Sequence, residues 1–165
     1  MTEISFHFNA PDKLAYACRL LRKAVNGGSQ VVVTAAPETL ATLDMLLWTI
    51  SPLDFIAHCF ADADAALVSA SPILLGMPAV LLQAQTATFD LRAPMADSTD
   101  PIRQARLVLV NLGDAVPQGF ERFERLVELV GAGEEDRLSA RDRWKHYAHR
   151  GYAIIPHDLA SKSPA

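Results

Sequence analysis

The chain opens on ISFHF, residues 4–8, in which Ile4, Phe6 and Phe8 alternate with Ser5 and His7. A period of two predicts a strand with one face more deeply buried than the other. Asn9 to Asp12 marks a turn and a helix start. Leu14, Ala17, Cys18, Leu21 and Val25 then recur at helical spacing until Gly27-Gly28, a glycine stop. VVVTA, residues 31–35, is the short continuous apolar run of a central parallel strand. Pro37 opens a second helix through Leu40, Leu43, Leu46 and Leu47 to Trp48. The N-terminal part thus reads β-α-β-α, which predicts a parallel sheet with helices packed on it.

LDFIAHCF, 53–60, predicts a third, short strand. Residues 61–105, rich in Ala and Pro, carry a weaker pattern: PILL (72–75) and AVLL (79–82) fit short strands, and APMADSTD (93–100) an exposed loop. RLVLVNL, 106–112, is the clearest late strand. FERFERLVELV, 120–130, sets Phe120, Phe123, Val127 and Val130 on one helical stripe and predicts a helix broken by Gly131 and Gly133. EEDRLSARDRWKHYAHR, 134–150, predicts the last helix, acidic at its start and basic toward its end, as the helix dipole favours. The expected organisation is one domain over residues 1–158 with a frayed tail over 159–165. No internal repeat is visible.

The 165 residues suffice for one domain with a proper core, and an apolar fraction of 50% is ordinary globular composition. A net charge of −4 argues against broad, nonspecific nucleic-acid binding but leaves room for a local basic patch. Two scattered cysteines, Cys18 and Cys59, suit a reducing compartment better than a disulfide framework. The N-terminus lacks a basic segment followed by an apolar one, and no apolar run reaches about 18 residues. The expectation is a soluble cytoplasmic protein that does not enter a membrane.

Most catalytic readings fail on spacing. The first βα turn is NAPDK, without glycine, and neither GxGxxG nor GxxxxGK[ST] occurs, so the phosphate-cradling loop of nucleotide-binding sheets is missing. There is no GxSxG nucleophile turn. His58 and Cys59 are neighbours in a strand and point to opposite faces, which reads as core rather than as a shared site. His146 and His149 share a helix face and could meet His157, but Arg143, Lys145 and Arg150 crowd them and cations repel a metal. No cofactor is expected.

ARDRWKHYAHRGY, 140–152, is the exception to an acidic chain. Arg137, Arg141, Trp144 and Ala148 fall on one helical stripe with Lys145 beside it. Guanidinium forks suit carboxylates, and an indole beside them offers an apolar floor. A ligand both acidic and hydrophobic fits, such as a peptide ending in a carboxylate next to a large apolar side chain. A single-stranded nucleic acid fits the same groups, and a solvated face fits the charges alone. Residue patterning stops at a helix that docks a peptide or a nucleic acid on an α/β domain.

Three ordered segments carry a family resemblance: LDMLLWTISPLDFIAH (43–58), LVLVNLGDAVPQGFERFERLVELV (107–130) and ARDRWKHYAHRGY (140–152). With the opening strand and helix they resemble the chi subunit of bacterial DNA polymerase III holoenzyme; residues 61–105 match poorly. The resemblance implies a three-layer α/β/α Rossmann-like domain with a mostly parallel central sheet, no nucleotide-binding loop and no catalysis by this chain. It implies an accessory subunit that ties the clamp loader to single-stranded DNA-binding protein by holding that protein's acidic, phenylalanine-ended C-terminal tail, with at most indirect nucleic-acid contact. Carried onto this chain, Arg141 is the main carboxylate partner, with Arg137 and Lys145 as further cations. Trp144 lines the pocket for the terminal Phe, and Val130, at the end of the preceding helix, and Gly151 supply apolar wall and close backbone approach. Trp48 matches a tryptophan near the same surface. The second implied partner is the psi subunit of the clamp-loader complex or, where psi is absent, another protein such as a repair helicase. Phe55 is its anchor, unless Phe55 is an ordinary core strand residue. The rival readings are a direct single-stranded nucleic-acid binder and a nucleotide-dependent Rossmann-like enzyme.

Overall fold

In a computed structural model of the chain, residues 2–49, 56–76 and 107–160 are described. Within them seven strands form one parallel sheet in the order β3-β4-β2-β5-β6-β1-β7. The strands are β1 (Glu3–Ala10), β2 (Gln30–Thr34), β3 (His58–Phe60), β4 (Ile73–Leu75), β5 (Leu107–Asn111), β6 (Arg125–Gly131) and β7 (Ile154–Asp158). The helices are α1 (Lys13–Asn26), α2 (Pro37–Thr49), a short α3 (Ala65–Ala70) and α4 (Glu134–His149). β1-α1-β2 and β2-α2-β3 step one way along the sheet, whereas β6-α4-β7 steps the other way. A right-handed crossover of opposite direction puts its helix on the opposite face. The result is the expected three-layer α/β fold, with α1 and α2 on one side and α4 on the other.

Side-chain alternation along the strands builds the two cores. Val31, Val33, Val110, Val127 and Leu129 meet Ala17, Cys18, Leu21, Leu43 and Leu47 from α1 and α2. Ile4, Phe6, Leu109, Leu126 and Val130 meet Phe120, Phe123, Ala140 and Tyr147 on the α4 side. Asp12 caps α1 by accepting from Ala15 N at 3.1 Å. Cys18 is buried and Cys59 half-buried, and both are thiols. β7 pairs with β1 and carries Pro156, a residue without an N–H to offer a further strand.

The segment 120–130 is not a helix. Phe120–Arg122 form one 3-10 turn, and Arg125–Gly131 form β6 between β5 and β1. The reason lies in RLVELV: a strand buried on both faces is apolar at consecutive positions, and over a short run that pattern also satisfies a helical stripe. β6 is buried from Leu126 to Val130, so the sheet's centre claims what periodicity assigned to a helix. β7 and α3 were not foreseen, the former because Pro156 interrupts its apolar pattern. PILL holds β4, while AVLL, APMADSTD and Phe55 lie outside the described residues. Of the tail over 159–165, only Leu159 and Ala160 are described, and Leu159 N donates to Phe8 O at 3.0 Å.

Candidate functional site

α4 begins after Gly133 with Glu134, Glu135 and Asp136 in its first turn, acidic groups that suit the positive end of the helix dipole. Asp136 Oδ2 accepts from Gly131 N at 2.6 Å and from Lys13 Nζ at 2.9 Å, which ties the helix start to β6 and to α1. A Cβ on Gly131 would sit 3.2 Å from that same oxygen, so a side chain there would crowd the tie. The far end closes in a left-handed glycine turn. Gly151 has φ +85°, Gly151 N donates to Ala148 O and Tyr152 N to Tyr147 O, each at 3.1 Å. This is a Schellman stop, in which the residue after the cap must take a conformation that glycine adopts without strain.

The buried face of α4 is Ala140, Arg143 and Tyr147. Arg143, which patterning placed among the surface cations, is 2% exposed, and its Nε donates to Glu128 Oε2 at 3.0 Å. Tyr147 OH donates to Glu128 Oε1 at 2.5 Å, and Asn111 Nδ2 from β5 reaches both oxygens at 3.1 and 3.0 Å. Glu128 itself is 0% exposed. Burial pushes its carboxyl above the usual range, opposed by the Arg143 charge and by the hydrogen bonds from Tyr147, Asn111 and Arg143. Burial, reinforced by the Glu128 charge, also raises the Tyr147 hydroxyl. The sequence signal was a lone Glu inside an apolar run, and reading that run as a helix left Glu128 out of the buried stripe.

Beside this face lie the residues expected to bind. Arg137, Arg141 and Lys145 are exposed and stand four apart, one row along the helix. None forms an ion pair among the described residues. Trp144 is half-buried, its ring 4.9 Å from that of Phe6. Phe6 and Phe120 in turn pack on Tyr147 at 6.0 and 5.2 Å, and Phe120 on Tyr152 at 5.4 Å. Arg150 is engaged with Glu121 at 3.0 Å. Val130 is in β6 rather than at a helix end, and at 1% exposure it supports the helix from below. Gly151 serves the helix stop, with open space where a Cβ would go.

Trp48 is not brought to this site. It ends α2 on the other face of the sheet, beside edge strand β3, with its ring 5.0 Å from that of His58. His58 is buried there, Nδ1 2.6 Å from Ile56 O and Nε2 2.9 Å from Asp44 Oδ1. Trp48 is 56% exposed, and Met45, one turn earlier, is 68% exposed. His157 does not join His146 and His149 but stacks on His7 at 4.5 Å. Among the described residues no three His, Cys, Asp or Glu side chains converge as a metal site, and no helix is long and apolar enough to cross a membrane.

A cleft of about 560 Å³ opens at the carboxyl ends of β2 and β5, where the chain leaves adjacent strands in opposite directions and α/β proteins commonly hold ligands. Its described lining includes Asp114 and Asp136, and Lys13 Nζ donates to Asp136 Oδ2 and to Leu112 O, each at 2.9 Å.

These features define an α/β domain whose distinctive surface is a cationic, aromatic helix rather than a phosphate loop. Residues 1–155 match the family model of the DNA polymerase III chi subunit, HolC. The chain is also similar to DNA polymerase III subunit chi of Pseudomonas aeruginosa, 29% identical over 164 residues covering 96% of this chain and 98% of that protein. It belongs to the chi-subunit family of DNA polymerase III, and so to the accessory proteins of a replicative polymerase.

Proposed function

We propose that this chain is a non-catalytic adaptor that holds the acidic C-terminal tail of single-stranded DNA-binding protein on α4 and links it to the clamp-loader complex. The observation that carries the reading is the row Arg137, Arg141 and Lys145 beside half-buried Trp144. Like charges four apart on a helix repel by a few tenths of a kcal/mol per pair. An anionic ligand turns that repulsion into attraction. Arg141, central in the row and one turn before Trp144, takes the terminal carboxylate in its fork, and the indole edge receives the apolar side chain next to it. Val130 and Phe6 act from beneath by fixing the indole, and Gly151 by ending the helix.

The link to the polymerase assembly is assigned to the other side of the molecule. Met45 and Trp48 make an exposed apolar patch at the end of α2, and Phe55 follows within a few residues in sequence. Buried at an interface, such groups make energetic anchors. The partner is psi or, where psi is absent, another protein such as a repair helicase.

The test is fluorescence anisotropy with a labelled peptide ending in Asp-Asp-Ile-Pro-Phe, alongside the same peptide without its final Phe and an Arg141→Ala protein. Binding of the full peptide alone, lost in both controls, is the expected result. Equal binding of both peptides, with tight binding of oligothymidylate, would make the helix a nucleic-acid surface instead. No binding of the full peptide would end the tail reading.

A further inference from the structure

Helices on α/β sheets are usually held by an apolar stripe, but α4 buries only Ala140, Arg143 and Tyr147. Asp136 ties its start to Gly131 N, and along its middle the polar hold on its rotation and axial position is Glu128. Arg143 and Tyr147 stand one turn apart and take opposite oxygens of that one carboxylate, while Asn111 from β5 holds both oxygens from the sheet side. Ser139, one turn before Arg143, accepts from its Nη1 at 3.1 Å and orients the guanidinium further. A slide of one helical turn is about 5.4 Å, far more than any of these bonds tolerates. A rotation large enough to turn Arg143 outward would break two of them at once.

The row Arg137, Arg141 and Lys145 lies about a third of a turn around the helix from this anchored face, since successive residues advance by about 100°. Its direction therefore depends on the hold that the carboxylate keeps on Arg143 and Tyr147. Trp144, between the two faces, rests on Phe6 from the strand beside β6. A guanidinium fork reading a carboxylate needs placement within about 0.5 Å and 10–20°, so a helix that stays folded but loses this register would lose binding.

We infer that Glu128 is a positioning residue for ligand recognition by α4, acting through Arg143 and Tyr147 to aim Arg141 and Trp144. The inference rests on the tail-docking reading above and adds a fully buried residue of β6, beneath the helix and out of a ligand's reach.

The test is a double-mutant cycle on peptide affinity, with the Asp-Asp-Ile-Pro-Phe peptide as probe. Glu128→Gln, Arg141→Lys and their combination are each shown folded by circular dichroism before titration. Arg141→Lys keeps measurable binding but gives up the fork. If Glu128 aims Arg141, Glu128→Gln weakens binding about tenfold in the parent chain and less than about twofold once Arg141 is Lys, because residues acting through one another are non-additive. Equal losses in both backgrounds, or parent-like binding by folded Glu128→Gln, would overturn the inference. Should Glu128→Gln fail to fold, Tyr147→Phe takes its place in the cycle, deleting one hydroxyl and keeping the ring on Phe6 and Phe120. A parent chain that ignores the peptide condemns the docking reading itself, a result distinct from a failed cycle.

Discussion

Arg143 and Glu128 form an ion pair at 3.0 Å with 2% and 0% of their side chains exposed. Two residues earlier, Arg141 is solvent-exposed and unpaired among the described residues. In the proposed reading, two arginines of one motif therefore have separate duties, one toward the core and one toward a ligand.

Substituting each by Met should separate these duties. Arg143→Met leaves a buried carboxylate without its cation and should lower stability by about 3–5 kcal/mol, read as an earlier midpoint in urea. Arg141→Met should leave the midpoint where it is and abolish peptide binding. Equal midpoints for the two variants would contradict the burial of the pair.

Trp144 joins both duties. Trp144→Phe keeps a ring on Phe6 and should retain most stability and part of the affinity. Trp144→Ala removes the contact at 4.9 Å and should destabilise by about 1–3 kcal/mol while removing affinity for the terminal Phe. Calorimetry on the two variants, with and without peptide, checks both effects.

Gly151→Ala tests the helix stop. No atom blocks the added methyl, but φ +85° is strained for an L side chain. A cost of about 1 kcal/mol is expected, a fall of roughly 2–4 °C in melting temperature for a chain of this size. An unchanged melting temperature would mean that the turn relaxes elsewhere.

Cys18 gives the alkaline prediction. Burial pushes its thiol up to about 11, from an ordinary value of 9.0. A group raised in the folded state stabilises fully below its unfolded value and loses that contribution as pH climbs to the folded one. Stability should thus fall between about pH 9 and pH 11 by roughly 2 kcal/mol, and Cys18→Ala should flatten that part of the curve. Urea titrations at several pH values decide it.

Much of the fold could be read in the sequence. β1, α1, β2, α2 and β5 fall where patterning set them, since each has either a clean period or an uninterrupted buried run. β6 was misread because an apolar run interrupted once, at Glu128, satisfies helix and strand periods alike, and only its place between β5 and β1 decides. β7 hid behind Pro156. The exposed part of α4 was legible in part: Arg137 and Arg141 are exposed on one stripe as expected, whereas Trp144 is half-buried on Phe6 and Lys145, expected only beside the stripe, continues the row of the two arginines. Arg143 was not, because nothing in a run of basic residues tells which one faces a buried carboxylate donated by a strand fifteen positions away. Trp48 followed the family resemblance to the tail site, whereas strand order carries it to the far edge of the sheet.

That strand order has a consequence for traffic through the protein. α2 with Trp48 and α4 with Arg141 stand on opposite faces of the sheet, so the two proposed ligands would share no side chain. Two such ligands have no steric reason to exclude each other, and their binding free energies should add with little coupling. On the proposed reading, a protein built this way stays moored to one neighbour while the other comes and goes.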